Sequence, residues 1–323
     1  DGIRDVLGSR GLGDVYKRRV LDSVLAILPF GRIIAAIAIW FFLANIQEKN
    51  IRRIEICIAG CIITIFMMYS IDISYQGTIL LNELLLLYVF WACQNAYVKP
   101  VEYCHLRKVS LKSIGLIIVA AIFLFIMADY VNACSMIAFQ NLLDDSLRAI
   151  VNKPVEALVV VAILPAIIEE FLFRGMIYRG IANKSNKKIA IIISALLFAF
   201  LHMNFNQMCY AFVMGLVFAI VIYLTDNLSV SILLHMLFNA FTVIITCFEK
   251  SNAIQAILQC NIAGYTLFNP SLTDTQGKIE ISLLIIGGLI AILSAVIAGW
   301  LILLIAKTEK TTETTINNEN ILK

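Results

Sequence analysis

Nine stretches of this chain approach or exceed the apolar length that a helix needs to cross a bilayer, about 20 residues. They fall at 23–46, 54–71, 78–98, 113–132, 155–180, 189–205, 207–224, 227–247 and 280–305. The rest of the composition offers little to solvate them. Apolar residues make up 61% of the chain and charged residues 15%, where a soluble domain carries about a quarter charged. The first stretch is broken by Pro29-Phe30-Gly31-Arg32; proline removes a backbone donor there, so 23–46 is expected to enter the membrane without crossing it cleanly. The expected fold is all-α: a polytopic helical membrane protein with about eight transmembrane helices.

The chain divides accordingly. Residues 1–22 form a charged arm ending in Lys17-Arg18-Arg19, and 23–149 form the N-terminal transmembrane helices. The arm resembles the start of a signal peptide, but the following run is long and Asn45-Ile46-Gln47 is no small-residue cleavage site, so a retained segment is expected. The helices of 150–247 carry the polar motifs, 248–279 is expected to be an extracytoplasmic loop, and 280–306 the last transmembrane helix. Residues 307–323 are rich in Thr, Asn, Glu and Lys, with almost nothing to bury, and are expected to form a disordered tail.

Loop charge sets an orientation. One set of loops and the C-terminal tail carry Lys49, Arg52, Arg53, Lys99, Arg107, Lys108, Lys112, Arg179, Lys184, Lys187, Lys188, Lys307, Lys310 and Lys323, fourteen in all. The opposite set holds four: Arg148, Lys153, Lys250 and Lys278. The basic loops and the C-terminus are therefore expected in the cytoplasm. A net charge of +3 gives no reason to expect a nucleic-acid partner. The eight cysteines show no C-x-x-C pairing and read as packing residues.

Ionisable side chains in a bilayer are costly, and their default reading is functional. Three clusters interrupt the late apolar runs: Glu169-Glu170…Arg174, Phe198…His202 and His235…Asn239. Counted along each helix from its cytoplasmic end, Glu169 lies about 17 Å deep, His202 about 20 Å, His235 about 12 Å and Asn239 about 18 Å. Scattered structural polar groups would have no need to agree in depth. Glu170 and Arg174 are four residues apart and are expected to pair on one helix face, with Glu169 pointing about 100° away, outside that pair. Pro165 removes a helical hydrogen bond just before them. His235 and Asn239, also four apart, project to one side. Such a set can activate water and stabilise an oxyanion. Glu169, His202 and His235 could alternatively hold a divalent metal such as zinc, with water in the fourth position. No organic cofactor is indicated. His105 reads as solvated, Glu83 and Glu156 as interfacial, Asp72 and Asp226 as turn residues, and the tryptophans as interfacial anchors.

The motifs E-E-x-x-x-R, F-x-x-x-H and H-x-x-x-N, in that order on successive apolar segments, resemble the CPBP family of CAAX-protease and bacteriocin-processing (Abi) enzymes, which includes the Ras-converting CAAX endopeptidases. The resemblance covers about residues 150–247. It implies an intramembrane endopeptidase in which Glu169 activates water with His202 assisting, Glu170 and Arg174 shape the site, and His235 and Asn239 stabilise the oxyanion. It leaves a metallo- and a glutamate-type mechanism both open, and implies membrane lipid and a membrane-associated peptide or protein substrate as partners. A non-catalytic scaffold or bacteriocin-immunity protein, and a transporter, are the alternatives; no repeated halves or trans-membrane polar pathway favour the last. The Ile-, Asn- and Lys-rich composition fits an AT-rich bacterial genome, hence a bacterial plasma membrane, and disfavours prenylated substrates.

Overall fold

A computed structural model describes residues 104–139, 152–184, 186–202, 205–274 and 277–321. Six of the nine apolar stretches fall wholly or mostly within these, and their described parts are largely helical. The stretches at 23–46, 54–71 and 78–98, with the arm, Glu83, Asp72, Trp40 and Trp91, lie outside the described residues. The described residues are mostly helical, with four helices among them long and apolar enough to cross a membrane.

Helix α1 (Leu111–Met136) begins where the Ser110 hydroxyl accepts from the Ser113 N–H at 3.1 Å. Capping of this kind satisfies one of the orphan donors at a helix start. The motif-bearing stretch is one helical path with uneven winding: α2 (Pro154–Ala157), a π-helical segment (Leu158–Ile163), α3 (Leu164–Glu170), a second π-helical segment (Phe171–Tyr178) and α4 (Arg179–Lys184). Helices α5 (Lys187–Leu201), α6 (Phe205–Thr225) and α7 (Leu228–Cys247) follow, with Asn186 and Asn227 capping α5 and α7. A short α8 (Asn252–Leu258) and a hairpin of β1 (Asn261–Ile262) and β2 (Tyr265–Thr266) precede α9 (Ile281–Ile321).

One main core joins most of these helices. Leu124 and Phe125 of α1, Leu172 and Phe173 of the second π-helical segment, Phe198, Phe218 and Leu234 of α5, α6 and α7, and Ile302 and Ile305 of α9 pack together. The opposite face of α9 is apolar and is left exposed by the other described residues. Ile285, Leu289, Ile292, Val296, Trp300 and Leu303 are each more than half exposed, a face that lipid would cover and water would not tolerate.

The described residues of 248–279, expected only as a loop, fold back onto the ends of α1 and α9. Asp129 accepts from the Asn269 N–H at 3.1 Å, the Tyr130 hydroxyl donates to the Leu284 carbonyl at 3.0 Å, and Tyr265 packs beside Tyr130. At the other end of the bundle, Asp226 and Asn227 join α6 to α7 and bind the 104–110 segment. Leu228 N–H donates to His105 O at 3.2 Å, Arg107 N–H donates to Asn227 Oδ1 at 3.3 Å, and Arg179 Nη1 donates to Asp226 Oδ1 at 2.7 Å. Three basic-rich parts of the sequence, around 107, 179 and 307, thus meet at one end of the molecule.

The tail expected to be disordered departs from that expectation, since α9 continues to Ile321. The physical reason lies at its start: Glu309 is buried, accepting from Ser110 N–H at 3.2 Å and from Asn227 Nδ2 at 3.1 Å. Thr308, Thr311 and Thr312 return their hydroxyls to carbonyls four residues back, so each hydroxyl finds its partner within the helix. The described cysteines, Cys104, Cys134, Cys209, Cys247 and Cys260, are free thiols. Burial pushes the Cys104 thiol up to about 11, against the opposing pull of Arg179, as suits a packing residue.

Candidate active site

The broken helix, α6 and α7 bring the first and third motifs together inside the core. Glu170 and Arg174, four residues apart, form an ion pair at 2.7 Å with both side chains wholly buried. A buried pair is stabilised as its remaining donors and acceptors find partners, and here two neighbouring helices supply them for all but Arg174 Nε. Arg174 Nη2 donates to the Gly215 carbonyl of α6 at 3.1 Å. Glu170 Oε1 also receives the imidazole of His235 at 3.0 Å, and Glu170 Oε2 receives the Ser231 hydroxyl at 2.6 Å. Gly215 permits the approach of α6 to α5: a Cβ there would lie 3.0 Å from the Ala195 Cα.

Aromatic rings close the pocket. The Arg174 guanidinium lies over Phe198 at 4.4 Å and near Phe218 at 5.2 Å, a cation–π arrangement that compensates a desolvated charge. Phe218 stacks on His235, with ring centroids 4.6 Å apart and planes 22° apart. Phe198 meets His235 edge-on at 5.7 Å and His202 at 5.0 Å. The Phe of the second motif is therefore the wall between the two imidazoles.

The hydrogen bonds fix the tautomers. A carboxylate only accepts, so His235 must hold its proton on Nδ1 to bond Glu170, and neutral His235 then presents Nε2 as an acceptor. That Nε2 lies 3.9 Å from Glu169 Oε2. Glu169 is thus not left alone, as helical geometry within one helix had implied; α7 brings a histidine to it. The separation exceeds a direct hydrogen bond, yet both atoms can address one water.

His202 and Asn239 are placed differently from the expectation. Helix α5 has 15 residues and reaches about 22 Å, short of a full crossing. His202 is therefore its C-terminal cap and not a mid-helix residue, and its Nδ1 donates to the Phe198 carbonyl at 2.9 Å. Asn239 does not pair with His235; its Nδ2 donates to the Val161 carbonyl at 3.2 Å. Val161 is the acceptor that Pro165, four residues on and lacking an N–H, cannot serve. The proline opens the helix beside the site, and the carboxamide fills the opening.

No three His, Cys, Asp or Glu side chains converge as a metal cluster among the described residues. Of the three metal candidates, His235 is committed through Nδ1 to Glu170 and His202 through Nδ1 to its own helix. Each imidazole therefore keeps Nε2, that of His235 beside the Glu169 carboxylate, as the atom that a water or a divalent metal would meet.

Two groups of residues escaped the sequence reading. Ser231 stands one turn before His235 on the same face, and its only signal was that position. His105, expected to be solvated, bonds Asp226 through Nδ1 at 2.6 Å; 121 residues separate the two, and no local pattern links them. Glu156, read as interfacial, pairs with Lys153 at 3.0 Å at the start of the broken helix.

Comparison with known proteins points the same way as the motifs. Residues 152–241 match the family model described as "Rce1-like: Type II CAAX prenyl endopeptidase Rce1-like". The chain is similar to "Membrane-embedded CAAX protease MroQ" of Staphylococcus aureus (strain USA300), 34% identical over 116 residues that cover 34% of this chain and 47% of that protein. It is also similar to "Putative membrane peptidase YdiL" of Bacillus subtilis (strain 168), 31% identical over 87 residues that cover 27% of this chain and 36% of that one. The chain spans less than half the length of either relative. No solved structure matches it.

Proposed function

We propose that this protein is an intramembrane endopeptidase that hydrolyses membrane-associated protein or peptide precursors with water activated by Glu169. The observation that carries this reading is the buried meeting of Glu169, Glu170, Arg174 and His235 between α3, the second π-helical segment and α7, within the stretch that matches the protease family. Glu169 takes a proton from a water held between its carboxylate and His235 Nε2, and the water oxygen bonds to the scissile carbonyl carbon. The tetrahedral intermediate then collapses, the C–N bond breaks and the proton passes from Glu169 to the leaving amine.

Glu170 and Arg174 touch no substrate in this scheme; they set the position and tautomer of His235. Neutral His235 has no N–H left for an oxyanion, so the second amide hydrogen of Asn239 is the better candidate for that role. His202, with Nδ1 donating to its own helix, contributes Nε2 as a further proton acceptor. The scaffold and immunity alternatives require neither the Nε2-to-Glu169 approach nor a fixed tautomer.

The test is Glu169→Gln in cells, with membrane and secreted peptides identified by mass spectrometry. Loss of a catalytic base typically costs about 10²–10⁴ in rate, so uncleaved precursors should accumulate while the amount of protein in the membrane stays constant. Unchanged cleavage products would end the assignment of Glu169 as base.

About eight membrane spans, with the end that gathers Arg107, Arg179 and Glu309 in the cytoplasm, complete the reading; the excess of basic residues on that side supports the orientation. A membrane-impermeant thiol reagent applied to intact cells should leave Lys187→Cys unlabelled in a background without native cysteines. Labelling from outside would invert the topology.

A further inference from the structure

We infer that Ser231 is a positioning residue of the site, whose hydroxyl anchors Glu170 and thereby holds His235 in the tautomer and orientation that face Glu169. The inference rests on the endopeptidase reading for its purpose, though not for its geometry.

Serine and threonine inside a helix ordinarily return their hydroxyl to the carbonyl four residues back. Thr225, Thr246 and Thr308 do so, at 2.7, 2.9 and 2.9 Å. Ser231 does not. Its Oγ crosses from α7 to the broken helix and donates to Glu170 Oε2 at 2.6 Å, far closer than the Phe218 carbonyl at 3.4 Å. The shorter contact identifies the acceptor, and a hydrogen bond to a charged oxygen is about twice as strong as one between neutral groups.

The carboxylate needs this third donor. Glu170 Oε1 is shared by Arg174 at 2.7 Å and His235 at 3.0 Å, while Ser231 binds Oε2. With Oε2 released, the carboxylate is free to turn about its last torsion, which is broad, and to offer Arg174 both oxygens. The His235 imidazole would then lose its fixed acceptor. Ser231 and His235 are four residues apart on α7 and so lie on one face; one helix thus supplies both the reactive imidazole and the hydroxyl that steadies its partner. Phe218 completes the clamp by stacking on the ring. Partners behind a reacting imidazole typically change function by about 10–100-fold when removed, as the outer shells of metal-bound histidines show.

The experiment reads the tautomer directly. The chain holds three histidines, so protein labelled with ¹⁵N-histidine and purified in detergent gives three imidazole spin systems, assigned by His105→Gln and His202→Gln. In the unmodified protein at neutral pH, His235 should carry its proton on Nδ1. Ser231→Ala should convert that signal to a mixture of the two neutral tautomers, and Ser231→Thr, which keeps the hydroxyl, should restore the single form. A His235 protonated on Nε2 in the unmodified protein would overturn the inference without any variant. So would folded Ser231→Ala with an unchanged His235 signal. Because the readout needs no substrate, a protein that shows the tautomer change but cleaves nothing refutes the endopeptidase reading and leaves the positioning role standing.

Discussion

Two carboxylates in this molecule do formally the same thing in opposite surroundings. Glu170 gathers Arg174, His235 and Ser231; Asp226 gathers Arg179, His105 and Arg107. Each takes an arginine from the same broken helix and a histidine from a distant segment. They differ in solvent: the side chain of Glu170 is 0% exposed and that of Asp226 is 49% exposed. Within the core, charge interacts strongly and a missing partner cannot be replaced by water. At the end of the bundle, water and salt stand in for any partner that is lost. The same donors therefore make a fixed constellation in one place and an adjustable clamp in the other. Only the first can hold a histidine tautomer for chemistry.

The largest difference should appear on removing the arginine. Arg174→Ala leaves Glu170 charged and buried beside apolar rings, and breaking a buried pair in this way costs about 3–5 kcal/mol. Thermal unfolding of the purified protein in detergent should show a large fall in Tm that added salt does not alter. Replacing both members, Glu170→Leu with Arg174→Met, should recover most of that loss, since well-packed apolar pairs often match a buried ion pair, while abolishing the Nδ1 form of His235. A Tm for Arg174→Ala close to that of the parent would mean that water reaches the pair, and the contrast between the two carboxylates would collapse.

Much of the interior site was legible in the sequence, because helical spacing and membrane depth are local rules. The i,i+4 spacing of Glu170 and Arg174 appears as a 2.7 Å ion pair, and the common depth of Glu169 and His235 as a 3.9 Å approach. What spacing could not supply was the partner across helices. Ser231 is a small hydroxyl in an apolar helix, with no charge to betray a function. His235 was read as one of two oxyanion donors, because the sequence did not reveal that Glu170 lies within reach of its Nδ1. Pro165 announced a break in the helix, but that Asn239 fills it depends on the packing of α7 against the first π-helical segment. The winding of the motif helix followed no periodic signal at all. The outer clamp was the least legible, since its residues meet across 121 positions of sequence, and α9 was misjudged beyond 306 because Glu309 looked like tail composition and is in fact a buried acceptor.

The smallest effect should come from the clamp. Burial alone would raise the Asp226 pKa, but the hydrogen bond and charge of Arg179, followed by those of His105, outweigh it and hold the carboxyl below the usual aspartate range. A carboxylate depressed by folding stabilises the native state above its unfolded pKa, about 4, and loses that contribution as pH falls through the lower folded value. Half exposure limits the contribution to about 1 kcal/mol or less. Asp226→Asn isolates the charge, because Asp226 has φ 51° and asparagine accepts the left-handed region as readily as aspartate does. The variant should lower Tm by only a few degrees at neutral pH and low salt. The difference should shrink in high salt, and again as pH is taken below 4, where the parent loses what the variant already lacks. A loss as large and as salt-insensitive as that of Arg174→Ala would show that the residues at this end of the bundle shield Asp226 from water, and that the molecule holds two rigid carboxylate centres.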